Sequence, residues 1–466
     1  MDKKSSKALW PVLLTTMFAS FMNPFMHSAV NIALPDIQEQ FRCSAHTLGW
    51  ITNSFLLANA MVLLPISKIA DNWSRVKTFK AGLYLFTLLS FLIAFSPNIA
   101  VLLILRVLQG IGSAFMHVTG VAIITSAYPP QKRGTALGLN IGAVYAGLTL
   151  GPFLGGMLTH AGGWNRVFLG VVPLGILAIV LAHRNLENDV QKKQFRFDVP
   201  GSLVSALAIL GIIWGGGRVN TLQGLFPWAF GLALLFVFFR LEKKQSDPIL
   251  PLSLFQSNKL FAYSNMAALI HYAASSAVGF LLSLYLQFSR GLSPRDAGLV
   301  LVVQPALMVL TAPLAGRFSD KIRPGLLASL GMMLTLIGLS ALVFLDEQTP
   351  LFVLMIILFL LGVGFGLFSS PNTHAIMGSV DRDLYGTASG TTATMRVLGQ
   401  TLSMMVATLS ISLFLKHAML SPENLIPFIK SMKACFVFFA LLCIPGIGFS
   451  VYRSGKPKMK NHKTGS

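Results

Sequence analysis

Charge is what this chain has least of. Only 11% of its 466 residues are Asp, Glu, Lys or Arg, while 54% are hydrophobic and the mean hydropathy is +0.69. Soluble domains carry roughly a quarter charged residues, so the solvent implied over most of this length is lipid. Acids are the scarcer half: 16 Asp and Glu stand against 36 Lys and Arg, a formal net charge of +20. None of those acids falls deep inside an apolar run. Cysteine is nearly absent, and Cys43, Cys435 and Cys443 form neither a metal-ligand spacing nor a disulfide framework. Cys435 and Cys443 sit within an apolar run as packing residues. No nucleophile–base pairing and no metal cluster stands out, which argues against an enzyme, and no metal or cofactor is implied. The loops are too short to hold a soluble domain.

What is present is a series of long apolar runs. A helix needs about 20 mostly apolar residues to cross a bilayer. About fourteen such runs occur, near 10–34, 47–68, 79–96, 99–127, 134–159, 166–183, 199–217, 222–240, 260–288, 296–316, 325–345, 350–379, 385–415 and 427–452. They are too long for barrel strands and lack the ten-residue alternation of a membrane β-barrel. Lys3, Lys4 and Lys7 precede the first run as in a signal peptide, but Trp10–Leu34 is too long for one and further spans follow. An uncleaved first helix is expected.

The basic residues orient the spans. With the N-terminus inside, most of the 36 fall in inner segments, among them Lys68, Arg75, Lys77, Lys132, Arg133, Arg184, Lys192, Lys193, Lys243, Lys244, Arg317 and the tail Arg453, Lys456, Lys458, Lys460 and Lys463. The outer segments hold Arg42, Arg166, Arg218, Arg290, Arg295, Lys416, Lys430 and Lys433. Such a bias is the positive-inside pattern, so the basic excess is topological and nucleic acid is excluded as a partner. An even span count places both termini in the cytoplasm.

Two loops repeat. "SKIADNWSRVK" (Ser67–Lys77) joins spans two and three; "GRFSDKIRP" (Gly316–Pro324) joins spans ten and eleven. Each sets an aspartate, Asp71 or Asp320, four residues after a small residue, with Arg75 or Lys321 close behind. If spans seven and eight are an insertion, both loops join the second and third helices of a six-helix half. Repeated halves around a midplane cavity are the expected build of a rocking transporter. An acid at a helix end can pair with arginine or a helix N-terminus and latch the halves on one side; the alternative is a solvated turn.

These stretches resemble the fourteen-span drug:proton antiporter branch of the major facilitator superfamily. "VNIALPDI" (Val30–Ile37) is similar to that branch's first-helix signature and "LRVLQGIGSA" (Leu105–Ala114) to its fourth-helix arginine motif. "GAVYAGLTLGPFLGG" (Gly142–Gly156) resembles its fifth-helix antiporter motif, and "YLQFSRGLSPRDAG" (Tyr285–Gly298) its ninth-to-tenth connection. "GVGFGLFSSPN" (Gly362–Asn372) and "GTASGTTATMRVLGQ" (Gly386–Gln400) are similar to late-helix patterns. The resemblance spans nearly the whole chain. It implies an all-α polytopic membrane protein with the major facilitator fold: a six-helix half over 1–183, two linker helices over 184–259, a second six-helix half over 260–452 and a basic tail, 453–466. Met26 stands where the family's antiporters commonly carry a first-helix aspartate, and Ser67 and Ser74 stand where glycines are usual. The first departure weighs against proton coupling by that route and against cationic substrates.

Polar residues form stripes on apolar helices. Thr16, Ser20, Asn23, His27 and Asn31 share one face of span one; Arg106, Gln109, Ser113 and His117 share one of span four. His271, Tyr272, Ser275 and Ser276 mark span nine, and Ser389, Thr392, Arg396, Gln400 and Ser403 mark span thirteen. A charge at the helix centre costs about 2.5–3.5 kcal/mol on insertion scales, so Arg106 and Arg396 are expected to face a wet cavity or a partner. Interhelical hydrogen bonding alone accounts for many of the Ser, Thr and Asn residues, and a neutral histidine can be satisfied by a neighbour. The candidate binding or proton-coupling residues are Asn23, His27, Asn31, Arg106, Gln109, His117, Tyr145, His271, Tyr272, Arg396 and Gln400. The gating candidates are Asp71, Arg75, Asp320, Lys321, Gly151 and Pro152, with the glycines of span five read as a pivot. A cavity with two arginines, several histidines and no carboxylate attracts neutral or anionic molecules. Histidine, whose ordinary pKa is about 6.5, is then the proton carrier of choice.

The expected activity is secondary active export of drugs or amphiphilic metabolites by alternating access, with proton antiport. The alternative is facilitated or proton-linked movement of one neutral or anionic metabolite, such as a vitamin-like aromatic. A non-transporting receptor leaves the intramembrane arginines unexplained. Partners are then a small organic substrate, protons and the lipid of the plasma (inner) membrane around a monomer.

Overall fold

The computed structural model describes residues 3–128, 130–187, 198–219, 221–245, 248–250, 252–319, 322–380, 385–415 and 424–452. Among them the chain is helical, with no strand: α1 (Lys3–Phe41), α2 (Ala45–Asn72), α3 (Arg75–Ile93), α4 (Ile99–Ala127), α5 (Pro130–Gly162), α6 (Asn165–Asn185), α7 (Val199–Gly216), α8 (Leu222–Glu242), α9 (Leu252–Ser257), α10 (Lys259–Ser275), α11 (Val278–Leu284), α12 (Pro294–Leu301), α13 (Val303–Ser319), α14 (Pro324–Leu342), α15 (Leu351–Gly378), α16 (Tyr385–Leu415) and α17 (Leu425–Tyr452). A π-helical turn, Tyr285–Ser289, follows α11. Helix is the only open-ended structure that satisfies every backbone donor and acceptor within lipid. Fourteen segments are long and apolar enough to cross a membrane, the number read from the apolar runs.

The helix starts are written locally. Ser44, Ser74, Asn98, Thr221, Asn258 and Ser293 each accept a backbone N–H three residues ahead, the usual work of an N-cap oxygen. Ser74, which replaces the family's glycine, therefore caps α3 through the Lys77 N–H at 3.1 Å.

Three features depart from the sequence reading. The first helix, read as an apolar run near 10–34, continues to Phe41, so Asp36 lies within it. The ninth span is broken: α10 stops at Ser275, α11 restarts at Val278, and the Ser403 Oγ accepts the Ala277 N–H at 2.9 Å. The tenth span breaks at Val302 between α12 and α13. A hydropathy run cannot register such breaks: the freed Ala277 N–H is recovered by a side chain, and at Val302 the backbone bonds to Gly298 and from Ala306 persist.

Helices α1–α6 pack on one another, chiefly as α1 on α5, α2 on α4, α3 on α4 and α3 on α6. Helices α10–α17 form a second group through α13–α15, α14–α15, α14–α17 and α10–α16. Helices α7 and α8 pack together and touch the rest where α7 meets α2 and α16. The first group meets the second mainly where α2 lies on α16 and α5 on α12 and α13, with a smaller contact of α1 on α11. Because the spans are even in number, α1 begins and α17 ends on the same face, here the terminal face; the α1–α2 turn lies on the opposite face.

Candidate functional site

The two groups are sealed together toward the opposite face. Proline builds part of the seal. Pro35 has no N–H to offer the carbonyl four residues behind it, and that carbonyl, of Asn31, accepts the Ser283 hydroxyl of the second group at 2.7 Å. The next carbonyl, of Ile32, accepts Gln287 Nε2 at 3.2 Å from the π-helical turn. Pro152 frees the Leu148 carbonyl in the same way, and Ser28 donates to it at 3.3 Å within the first group. Glycine provides the rest. A Cβ on Gly156 would meet the Pro294 carbonyl at 2.5 Å, and one on Gly298 would run into the Pro152 carbonyl, so α5 and α12 touch backbone to backbone at reciprocal positions. Gly49 likewise lies against Thr408.

Replacing Pro35 with alanine restores the internal helix bond and competes with Ser283. Loss of about 1 kcal/mol of seal shifts the closed–open equilibrium about fivefold. Double electron–electron resonance between spin labels at Arg42 and Arg295, both exposed on the opposite face, is expected to show a larger open population in Pro35→Ala.

Below the seal, toward the terminal face, Asn23, His27, His117, Arg396 and Gln400, from helices of both groups, are only half-buried, as residues lining a chamber between the groups would be. Arg396 of α16 sits over the Tyr272 ring of α10, its Cζ 5.4 Å from the centroid. Its Nε is buried without a hydrogen-bond partner. Its charge reaches His117 of α4 and Tyr145 of α5. The Tyr145 hydroxyl and the Ser369 hydroxyl of α15 share a 2.6 Å hydrogen bond that crosses between the groups. Phe365, edge-on to Tyr272 at 5.4 Å, completes an aromatic wall. Among the described residues no carboxylate approaches Arg396.

Arg106 was expected to face a wet cavity or a partner, and it is the partner that it meets: it is fully buried inside the first group. Its Nε donates to the Ile51 carbonyl at 3.0 Å and its Nη1 to Gln109 Oε1 at 2.6 Å. Gln109 in turn donates to Ser90 Oγ at 2.7 Å. The guanidinium lies 4.4 Å from the Phe55 ring centroid and 5.9 Å from that of Phe168, and Nη2 has no partner. The cation is thus held by carbonyl, amide and π-faces. His27 of α1 lies within its electrostatic reach.

The other candidates divide similarly. His271 is fully buried in the second group, stacked on Phe368 at 4.0 Å and against Phe365 at 4.7 Å. Asn31 belongs to the seal, where its side-chain oxygen accepts Thr52 Oγ1 at 3.2 Å. Gly151 packs on Ser28, and Pro152 meets Gly298. Ser20 donates to Asn140 Oδ1 at 2.9 Å and Thr392 to Asn265 Oδ1 at 3.3 Å, which is interhelical bonding of the bland kind. Arg75 opens α3 half-buried; the Asp71 side chain, Asp320, Lys321 and the tail 453–466 lie outside what the structure describes. Ser369, Phe365 and Phe368 were not singled out from sequence. The signal was there, as the polar Ser369-Ser370-Pro371-Asn372 break in an apolar run. A shallow cleft of about 480 Å³ lined by Asp346, Glu347, Gln348, Ile426, Ile429, Lys430 and Lys433 lies on the opposite face, remote from Arg396.

The family model for the Major Facilitator Superfamily matches residues 16–404 and 264–465. The chain belongs to that superfamily. This transporter is 31% identical over 84% of its length to the riboflavin transporter RibZ of Clostridioides difficile, covering 86% of that protein. It is also 31% identical over 84% of its length to the multidrug resistance protein Stp of Mycobacterium tuberculosis, covering 75% of it. In fold it is similar to a bacterial homologue of the human lysosomal transporter Spinster, solved in an inward-facing, unoccupied conformation. That match has a TM-score of 0.70 and 16% identity, over 97% of this chain and 98% of the other.

Proposed function

We propose that this transporter is a secondary active exporter of amphiphilic organic molecules, drugs or metabolites, neutral or anionic, that alternates access by proton antiport. The observation that carries the reading is Arg396, a cation at the chamber wall, laid on Tyr272 and unmatched by any described carboxylate. A guanidinium in a low-dielectric cleft focuses a positive potential and disfavours cationic cargo, while the aromatic wall accepts flat apolar surface. Residues 1–183 and 260–452 act as the rocking halves, with 184–259 as the inserted linker pair. The basic-residue bias puts both termini in the cytoplasm of a plasma-membrane protein, so the sealed opposite face looks outward and the chamber opens inward. Asp71, Arg75, Asp320 and Lys321 serve as the inner latch. With Met26 in place of a first-helix acid, His27 and His117 are the groups that exchange protons. Multidrug resistance in the Stp relative agrees with broad export.

A second reading has its own support: the same Met26, and a relative that carries riboflavin, favour a single vitamin-like aromatic metabolite. Everted membrane vesicles with an imposed pH gradient separate the two. Under the first reading, uptake of several unrelated aromatic compounds rises with an acid interior and collapses with a protonophore. Gradient-independent movement of one metabolite alone refutes it.

A further inference from the structure

We infer that Arg396 and His117 form a subsite for one acidic group of the substrate, so that the preferred cargo is a flat aromatic anion rather than its uncharged analogue. The inference rests on the transporter reading and narrows it to a substrate class.

A membrane-embedded guanidinium is retained only where something compensates its charge. Arg106 shows what compensation from within the protein requires: a backbone carbonyl, a glutamine oxygen and a phenylalanine face at short range. Arg396 has no such set. Between described residues it makes no hydrogen bond, its Nε is buried and unpartnered, and its Cζ lies 5.4 Å from the Tyr272 ring centroid. Tyr145, a hydroxyl of the first group within reach of the Arg396 charge, is engaged with Ser369. The missing partner must therefore enter with solvent or cargo. His117 stands across the chamber on the other helical group, within electrostatic reach, and its Nδ1 is also buried without a partner. A carboxylate or phosphate between them would accept from both, because a guanidinium presents its donors in a fork that fits such oxygens. Tyr272 and Phe365 then flank the aromatic body. The two anion donors come from α16 and α4, so the acidic group would tie the two helical groups together beneath the seal.

The test is binding of matched pairs to the purified full-length protein in nanodiscs, without a gradient, by isothermal titration calorimetry. The pairs are naphthalene-2-carboxylate with naphthalene-2-carboxamide, and riboflavin 5′-phosphate with riboflavin. The anion of each pair is expected to bind roughly tenfold or more tightly than its neutral partner, the scale of a charge-assisted hydrogen bond. Arg396→Gln is expected to remove that preference and leave the neutral compound within about threefold, while Arg396→Lys, which keeps the charge and loses the fork, retains part of it. A thermal melt of each variant reports folding. Equal binding of anion and neutral compound by the unaltered protein, or no binding of either anion, overturns the inference. So does a loss in Arg396→Gln shared equally by both members of a pair while the melt is unchanged. Failure of proton-coupled export in vesicles leaves the binding difference standing, so the two readings fail separately.

Discussion

Arg106→Ala is expected to abolish transport and to lower the melting temperature of the detergent-purified protein by several degrees, with the protein still inserted. The substitution strands the Gln109 oxygen in the buried interior, removes the second bond to the Ile51 carbonyl and leaves a void between Phe55 and Phe168. An orphaned buried acceptor costs about 1–3 kcal/mol, and removal of one member of a buried charged network sits at the upper end of single-residue effects. Arg106→Lys is expected to recover part of the stability and little of the turnover, because one ammonium cannot reproduce two donors held at different angles. Membrane yield, fluorescence-detected size-exclusion melts and vesicle transport together decide it. Wild-type melting and turnover in Arg106→Ala would show that the first group tolerates an empty site, and the network would lose its assigned importance.

The second large effect is expected at the seal. A leucine at Gly298 would drive its side chain into the Pro152 carbonyl, where no flexible atom can yield. Overpacking of this kind costs about 1–3 kcal/mol, a shift of roughly 5- to 150-fold against the closed state. The proposed alternating access needs both states, so turnover is expected to fall by a similar factor while substrate binding remains. Gly156→Leu, which meets the Pro294 carbonyl from the facing helix, is expected to behave alike. Spin labels at Arg42 and Arg295 report the widened gap, and unchanged distances with unchanged turnover in Gly298→Leu would mean that α5 and α12 do not form the gate.

The polar stripes were legible as faces but not as neighbourhoods. Periodicity placed Arg106, Gln109 and His117 on one side of α4, and that side is real. It turned out to serve two environments, since Arg106 and Gln109 lie within the first group and His117 borders the chamber. A helix a few turns long passes from one surrounding to another while its own face stays constant. Asn31 shows the same limit: its place in the first-helix stripe was correct, yet its carbonyl seals the opposite face because Pro35 frees it for Ser283. The proline was visible in the sequence, and its partner, some 250 residues away, was not.

What the sequence determined by itself was the solvent, the number of spans and their bias. Those follow from transfer free energies and from where lysine and arginine can reside, which are properties of each segment alone. Only the tertiary structure decided which arginine is enclosed and which stands at the chamber wall, where spans nine and ten break, and which glycines meet across the seal. Those outcomes depend on contacts between helices distant in the chain, and within lipid such contacts are chosen by close packing and hydrogen bonding, to which hydropathy is blind.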